Sequence, residues 1–509
     1  MANEPAAAWT SRHIGFDRTR RDPSRLRGGR VSRARAVVAC RVAVPALALL
    51  LAACATYTPQ PIAPAETAQA FAARRLDAAE LSEAVRKLGV QPAWPPTDWN
   101  RADLLLVAIV QNPQLAVARA ESLAAAAKET GVAQTANPGL TLQSEYARDE
   151  AHAWLYGFAL DFVVRSPARK RLDIDIAKLG TAVARSQVLE QTWSVRRALT
   201  SALSDAESAR RRADVLDRLL ESQQHLLRVQ QQRVDAGQDA PSDLVVARSA
   251  LLELERQRAD ARGDLVNAQS AVASALGMPP EALDALHVDW PDWGQPPALD
   301  RSAFDAAKEG ALLARADLAA SIADYAGAEK QLERAIARQY PEFHLNPGYY
   351  WDHGVAKWPL DLALVPSIFN RNEGEIAEAH AARELAGERM LAVQAGIYGA
   401  IAAAARAEAV AAGNVESAGR RVRAAGELVR HAQLAVRLGA SDRAEQLGSD
   451  ATALRAELDL VQARAQWQSA RNALEDALHA PLSGPELALR DVLAHATPET
   501  LPAERRISP

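Results

Sequence analysis

The sequence predicts a mainly α-helical chain with a membrane β component, duplicated in tandem. Each copy joins a long coiled-coil hairpin to two strands long enough to cross a bilayer. Three observations carry that prediction: residues that recur at one fixed offset, heptads that run for tens of residues, and short segments of alternating apolar side chains. Gly237 and Gly439 lie 202 apart (439 − 237), and Leu276 with Leu478 and Pro279 with Pro481 keep that offset. Phe158, Leu160 and Phe162 fall on Leu360, Leu362 and Leu364, and Ile174 and Ala177 fall on Ile376 and Ala379. Such self-similarity marks an architecture in which neither copy closes its core alone.

A length of 509 residues would ordinarily suggest several domains. Aromatic residues make up only 5% of the chain, however, and Ala, Leu, Arg, Glu and Gln dominate it. That bias fits extended helices packed by small residues better than thick globular cores. The net charge of −4, with acids and bases interleaved after residue 70, argues against a nucleic-acid partner.

The N-terminus is the exception. Residues 12–41 hold ten Arg against Asp17 and Asp22, and the apolar run Val42–Ala53 follows. That run is too short to span a bilayer as a finished helix and fits the hydrophobic region of a signal peptide, so 1–53 reads as a leader. It ends in Leu51-Ala52-Ala53-Cys54, which resembles the bacterial lipobox, where the Cys becomes the acylated first residue. An anchor helix with an incidental Cys is the alternative, and Cys40, with no apolar run before it, is a weaker lipidation candidate. With Cys54 acylated and Cys40 removed, no thiol is left for a disulfide, a zinc site or a nucleophile. Ala55 after the Cys favours, by analogy with bacterial lipoproteins, delivery to the outer membrane. The basic leader before Val31 is unusually long for a signal peptide, which makes Val31 a candidate non-Met start.

Residues 54–97 form a Pro-marked arm with one helical patch near 66–88. The first repeat, 98–276, opens with a helix from about Asp103 to Ala136, interrupted at Asn112-Pro113 and stopped by Asn137-Pro138. The period then changes from 3.6 to 2. Leu140, Leu142, Ser144 and Tyr146 share one face, and Tyr156, Phe158, Leu160 and Phe162 share another, with polar Arg148–Ala153 between them. The second repeat, 301–482, has the same plan: Phe343, Leu345, Pro347, Tyr349 and Trp351, then polar Asp352–Lys357, then Leu360, Leu362 and Leu364. About ten alternating residues suffice for a tilted membrane strand, and Trp154, Tyr156, Tyr349, Tyr350, Trp351 and Trp358 fit an interfacial belt. The same alternation also suits a half-buried soluble sheet.

Each strand pair leads into a long helix. Leu199, Ala206, Ala213, Leu220, Leu227 and Val234 recur every seven residues. The returning helix runs through Leu244, Ala247, Leu251, Leu254, Arg258, Ala261, Leu265, Ala268, Val272 and Ala275, with Arg258 alone breaking the apolar seam. Leu447, Ala451, Leu454, Leu458, Val461 and Ala465 do the same in the second copy. A regular heptad makes a helix pair supercoil, and helices of about 60 residues reach about 90 Å. Residues 277–300 read as a connector and 483–509 as a C-terminal tail, disordered after Pro498.

Four strands cannot close a barrel, and a membrane tolerates no open sheet edge, so several chains must pool strands. Three chains give twelve strands, and two give eight, too narrow for a solute pore. Asn112-Pro113-Gln114-Leu115 with Ala118-Arg119-Ala120, and Tyr340-Pro341-Glu342-Phe343, resemble the TolC-type outer-membrane efflux proteins. So do Pro366-Ser367-Ile368-Phe369-Asn370-Arg371-Asn372-Glu373-Gly374 and Ile376-Ala377-Glu378-Ala379, and the resemblance runs from about Ala102 to Leu482. It implies a homotrimer with a twelve-stranded β-barrel on a periplasmic α-barrel. It also implies the role of exit duct for a tripartite pump with a periplasmic adaptor and an inner-membrane RND-type transporter. Tyr349-Tyr350-Trp351-Asp352-His353-Gly354 with Lys357-Trp358 is most similar to the heavy-metal cation branch, although drug-exporting relatives share most of the pattern.

The resemblance makes the hairpin ends the gate and the adaptor contact. Gly237 and Gly439 reverse the helices, and Asp243 and Glu445 lie six residues past them, where a threefold assembly would form carboxylate rings. A helix cap or dipole partner is the other reading of both acids. Arg233, Arg437, Leu438 and Ser441 are the candidate adaptor contacts. His152, Asp352 and His353 fall in outward loops, without ligand spacing for a metal. No nucleophile–base set or phosphate loop is found, so neither catalysis nor a cofactor is expected. A non-pore coiled-coil lipoprotein spacer and a periplasmic adaptor subunit are the competing classes. The spacer leaves the alternating segments unexplained, and an adaptor would carry one hairpin where this chain has two.

Overall fold

The computed structural model describes residues 57–89, 94–284, 286–364 and 368–494. The leader, the lipidation candidate Cys54, Pro366-Ser367 and the end of the tail lie outside the described residues. The chain divides into two compact units. Of the first, 1–62, the described residues 57–62 carry no helix or strand. The rest concerns the second, 63–508.

Two short helices, α1 (Pro64–Ala72) and α2 (Ala79–Lys87), replace the single patch expected in the arm. Next come α3 (Arg101–Gln111) and α4 (Pro113–Ala133), separated where Asn112 caps the new helix and Pro113 occupies its first turn. The hairpin β1 (Gly139–Tyr146) and β2 (Trp154–Val164) leads into α5 (Pro167–Asp235), which turns at Gly237 into α6 (Pro241–Leu276). The second copy repeats the order. It runs α7 (Arg301–Ala314), α8 (Ala316–Ala337), β3 (Phe343–Asp352), β4 (Val355–Lys357), β5 (Leu360–Leu364), α9 (Glu373–Arg437) and α10 (Arg443–Leu478).

The outgoing helices have 69 and 65 residues, in line with the expected length, but the returning ones have only 36 each. The cause is local. Gly277 ends α6 in the left-handed region, and His479, at the same 202-residue offset, ends α10 there too (φ 69° and 47°). The heptad seams are buried or half-buried along their length, and Arg258, the residue that breaks one of them, pairs with Asp217 on α5.

Several motif residues prove to be junctions. Arg169 donates to the carbonyls of Ala337 and Tyr340 and pairs with Glu342 at 2.9 Å, which satisfies the open end of α8. Asn372, left-handed at φ 61°, donates to Ala335 O at 2.9 Å from the start of α9.

The main core lies at a waist around α3, where every residue from Arg101 to Val110 is buried. A helix apolar on all sides is stable only when enclosed. Asn112 Nδ2 donates to Ala275 O at 2.8 Å, and Arg74 donates to Gly277 O at 2.7 Å, which pins the end of α6 to the start of α4. The segment expected as a tail also enters this core. A 3₁₀ turn (Pro485–Leu489) and α11 (Arg490–Ala494) bury Leu489 and Leu493 against it. Burial of a Leu is worth about 1.5–3 kcal/mol.

Glu486, on the same segment, completes a buried ionic node. Arg196 of α5 is 0% exposed and meets Glu475 at 2.5 Å, Asp476 at 3.0 Å and Glu486 at 2.5 Å. Burial opposes its charge, but the three carboxylates outweigh burial and raise its pKa. Loss of one partner from a buried pair costs about 3–5 kcal/mol, because the other charge is stranded. His479 stacks on Trp193 at 4.9 Å beside this node.

Two outcomes follow for stability. A Cβ on Gly277 would lie 2.3 Å from Gln111 O, whereas one on Gly237 would meet nothing within 4 Å. Gly237→Ala should therefore cost only left-handed strain, roughly 1–2 kcal/mol, and Gly277→Ala clearly more, read as the larger fall in Tm. The second outcome concerns pH. Burial lifts Asp476 from 3.8 to about 6, so its contribution is present at low pH and lost as pH rises through about 6. Burial and nearby Arg315 lower His479 from 6.5 to about 3, so its contribution is present above 6.5 and lost as pH falls. The slopes oppose each other between about pH 4 and 6. His479→Asn keeps a residue that tolerates the left-handed turn and removes one slope. Its Tm relative to wild type should rise from pH 6.5 to pH 4.5, and a difference independent of pH would contradict the assignment.

Candidate functional site

The strands form one antiparallel sheet. β1 pairs β2, β2 pairs β3, and both β4 and β5 pair β3. The fourth strand is thus split in two. Pro359, which has no N–H to give the ladder, stands between the pieces, and its carbonyl accepts from Gly348 N at 2.9 Å. The polar stretch Asp352–Lys357, expected as a loop, is instead a tight hairpin turning at His353 and Gly354 (φ 44° and 106°). His353 Nδ1 donates to the His152 carbonyl at 2.6 Å, joining the two outer turns. Among the described residues no group of three His, Cys, Asp or Glu could hold a metal ion.

Register divides the sheet into two unlike faces. Leu142 lies opposite Phe158, Phe158 opposite Tyr349, Phe162 opposite Leu345 and Leu345 opposite Leu362. Side chains alternate, so this face is apolar from edge to edge, and Tyr146 on Trp154 (5.0 Å) and Tyr349 on Trp358 (4.7 Å) cluster at one end. The opposite face carries Thr141, Gln143, Glu145, Asp161, His344, Asn346, Asp352 and Asp361. Both are uncovered among the described residues: Leu140, Leu142 and Leu360 on the one and Thr141, Gln143, Glu145 and Asp361 on the other are exposed. Among the described residues, no strand lies beside the outer edges of β1 and of β4 with β5.

The helices next to the sheet repeat its order. α4 packs on α5, α5 on α8 and α8 on α9. Since α4 leads into β1, β2 into α5, α8 into β3 and β5 into α9, sheet and helix layer share one lateral order and end at the same two edges. Toward the tips the order becomes α6, α5, α10, α9. The edge helices keep apolar residues in the open: Val245, Leu252 and Val266 on α6, and Leu391, Tyr398, Val410 and Leu428 on α9. An 18-residue window of α9 has mean hydropathy 1.3, enough by length and composition to cross a membrane, yet only 11% of it is buried.

At the tips Gly237 and Gly439 both have φ 71°. The amides after them reach back to Arg233 O and Ala435 O at 2.8 Å each, so both helices close with the same left-handed motif. Arg233 is held within the chain. It forks onto Asp239 at 2.8 and 2.9 Å and reaches across to Asp442, the cap of α10, joining the two hairpins. Asp442 and Asp239 are the functional candidates that sequence reasoning missed. An Asp at a helix start was legible as a cap, but its partner 209 residues away was not. Glu445 accepts from the Ser441 hydroxyl and sits in the first turn of α10, as Asp243 does in that of α6. Arg437 remains exposed, and Leu438 is 74% exposed.

No family model matches the chain, and neither does any curated protein. Solved structures do. A membrane protein from Pseudomonas aeruginosa matches with a TM-score of 0.64 at 18% identity, over 78% of this chain and 98% of that one. The outer membrane protein VceC from Vibrio cholerae matches at 0.62 and 16%, over 75% and 96%. The CmeC outer membrane channel of Campylobacter jejuni matches at 0.62 and 14%, over 81% and 95%. This chain shares their fold, which is the fold that the TolC-type resemblance implies.

Proposed function

We propose that the chain is one subunit of an outer-membrane exit duct, a passive channel built from three copies and gated at the helix tips. The observation that carries the reading is the common lateral order of sheet and helix layer, open at the same two edges. Edges that differ from one another join head to tail, and a head-to-tail contact that closes makes a ring. Each chain supplies four strand positions, since β4 and β5 share one. Three chains then give a twelve-stranded barrel, while two give eight, too narrow for a solute. The apolar face turns to lipid and the polar face lines the lumen. The exposed residues of α6 and α9 are buried between neighbours in an α-barrel that continues into the periplasm.

On this reading Cys54 carries the lipid anchor, and energy comes from an inner-membrane RND-type transporter through a periplasmic adaptor. Exposed Arg437 and Leu438, with half-buried Ser441, offer the adaptor a surface beside Gly439. Arg233, already committed to Asp239 and Asp442, acts as a tie between the hairpins rather than as an adaptor contact. Asp243 and Glu445 form the carboxylate rings at the mouth. Glu145, Asp161, Asp352 and Asp361, against His344 and Lys357 on the polar face, favour cationic cargo, whether heavy-metal cations or basic drugs. A spacer or an adaptor leaves the five alternating strands without a role.

Conductance in a planar bilayer tests the reading. Wild-type protein should give a small cation-selective conductance, Arg233→Gln or Asp442→Asn a several-fold larger one, and Asp243→Asn with Glu445→Gln a weaker preference for cations. No conductance from folded trimers of any of these variants would remove the channel.

A further inference from the structure

Two arginines meet on the seam between α5 and α10, where the neighbouring levels set opposite charges together. Nearer the tips, Arg218 of α5 pairs with Glu457 of α10, and Arg233 with Asp442. In an antiparallel helix pair, a step along one helix matches an equal step backwards along the other. Arg211 and Arg464 each lie seven residues to the waist side of Arg218 and Glu457 (218 − 211 and 464 − 457). One heptad thus brings two cations to the place of an ion pair, and like charges so placed repel.

The connector holds the two side by side. Trp293 Nε1 donates to Ser204 Oγ on α5 at 3.2 Å, and Gly294 N donates to Gln468 Oε1 on α10 at 3.3 Å. The Arg211 guanidinium lies over the Trp293 ring, 4.7 Å from its centre. Gly294, left-handed at φ 68°, presses so closely on the Arg464 stem that a Cβ there would come within 2.4 Å of Arg464 Cβ. Adjacent connector residues therefore touch both arginines.

Carboxylates do not offset this charge. Arg211 gives only its Nε, to Glu207 at 2.6 Å, and Glu207 is shared with Arg210. Among the described residues Arg464 forms no ion pair, and its buried Nε has no hydrogen-bond partner. Burial and the neighbouring Arg211 both push the Arg464 pKa down. The side chain of Arg211 is 30% exposed and Arg464 is half-buried, so a small solute can reach both.

We propose that this place is an anion site, which takes a phosphate group between the Nη atoms of Arg211 and the guanidinium of Arg464. A guanidinium fork matches phosphate oxygens in pairs, and two forks from different helices suit a doubly charged oxyanion better than chloride. The bound group ties α5 to α10 as Glu457 does one heptad further on. Free phosphate and a small phosphate monoester share this chemistry. A lipid headgroup does not reach the site on the proposed membrane reading. Arg211 lies 44 residues past the start of α5 beside the sheet (211 − 167), or about 66 Å. The site itself does not depend on the chain being a channel.

Calorimetric titration of the full-length protein in detergent tests the site. Inorganic phosphate and glycerol 3-phosphate are the probes, with chloride at matched ionic strength as the reference and Tm read in parallel. Wild type should bind phosphate saturably. Arg464→Gln should weaken binding at least about tenfold, the worth of one hydrogen bond to a charged group. Phosphate stabilises proteins in general by exclusion from their surface, so the thermal readout is the rise in Tm of wild type beyond that of Arg464→Gln. Arg464→Glu repeats the pairing of Arg218 with Glu457. It should raise Tm without phosphate and abolish the phosphate response. Arg420→Gln, which removes an exposed cation on α9, should leave binding unchanged. Tighter binding of glycerol 3-phosphate assigns the site to a phosphate monoester, and tighter binding of inorganic phosphate assigns it to the free ion. Binding that is absent from wild type, equal in Arg464→Gln or matched by chloride would overturn the site.

Discussion

A strand that crosses hydrocarbon must give every amide a partner within protein, because no water is there to take its place and an unmade bond costs several kcal/mol. Among the described residues, one copy of this chain leaves two sheet edges unpaired and both faces of the sheet uncovered. On the proposed reading that single deficit dictates the rest. The edges are supplied by other copies, the helices below inherit the same lateral order, and their apolar flanks on α6 and α9 are covered when the sheet closes.

The second organising feature is where the charges are buried. The chain places its most enclosed ion cluster, Arg196 with Glu475, Asp476 and Glu486, at the waist, and half-exposed cross-hairpin pairs, Arg218 with Glu457 and Arg233 with Asp442, farther along the shafts. A long coiled coil of small residues is stiff along its axis but weakly held to its neighbour wherever large apolar residues are missing. Ala213, Leu216, Leu219 and Leu220 hold α5 in the middle, and half-buried Leu227 and Val234 with the Arg233–Asp442 pair line it below.

Much of this architecture was legible in the sequence, because it is periodic. The heptads through Leu199–Val234 and Leu244–Ala275 located the hairpins and their buried seams. Alternation in Leu140–Tyr146 and Tyr156–Phe162 located strands and assigned their faces. Period is silent on events that happen once. The break at Pro359, the short returning helices and the left-handed His479 depend on local backbone geometry. Long-range ion pairs were beyond reach for a different reason: Arg196 looks like any other helical Arg until Glu486, 290 residues later, folds onto it. Arg233 looked free for a partner protein for the same reason. The C-terminal segment was read as a tail because its few apolar residues, Leu489 and Leu493, form no repeating pattern.

The central claim is that copies of this chain join β1 to the opposite edge strand, and crosslinking tests it most directly. Cysteines would be placed along β1 at Thr141, Gln143 or Glu145, and in the same chain along β5 at Asp361 or Ala363, all on the polar face. Oxidation in isolated outer membranes should give a covalent species that stops at three chains for at least one pair. Products that stop at two chains, an open ladder beyond three, or no crosslink for any pair would contradict it.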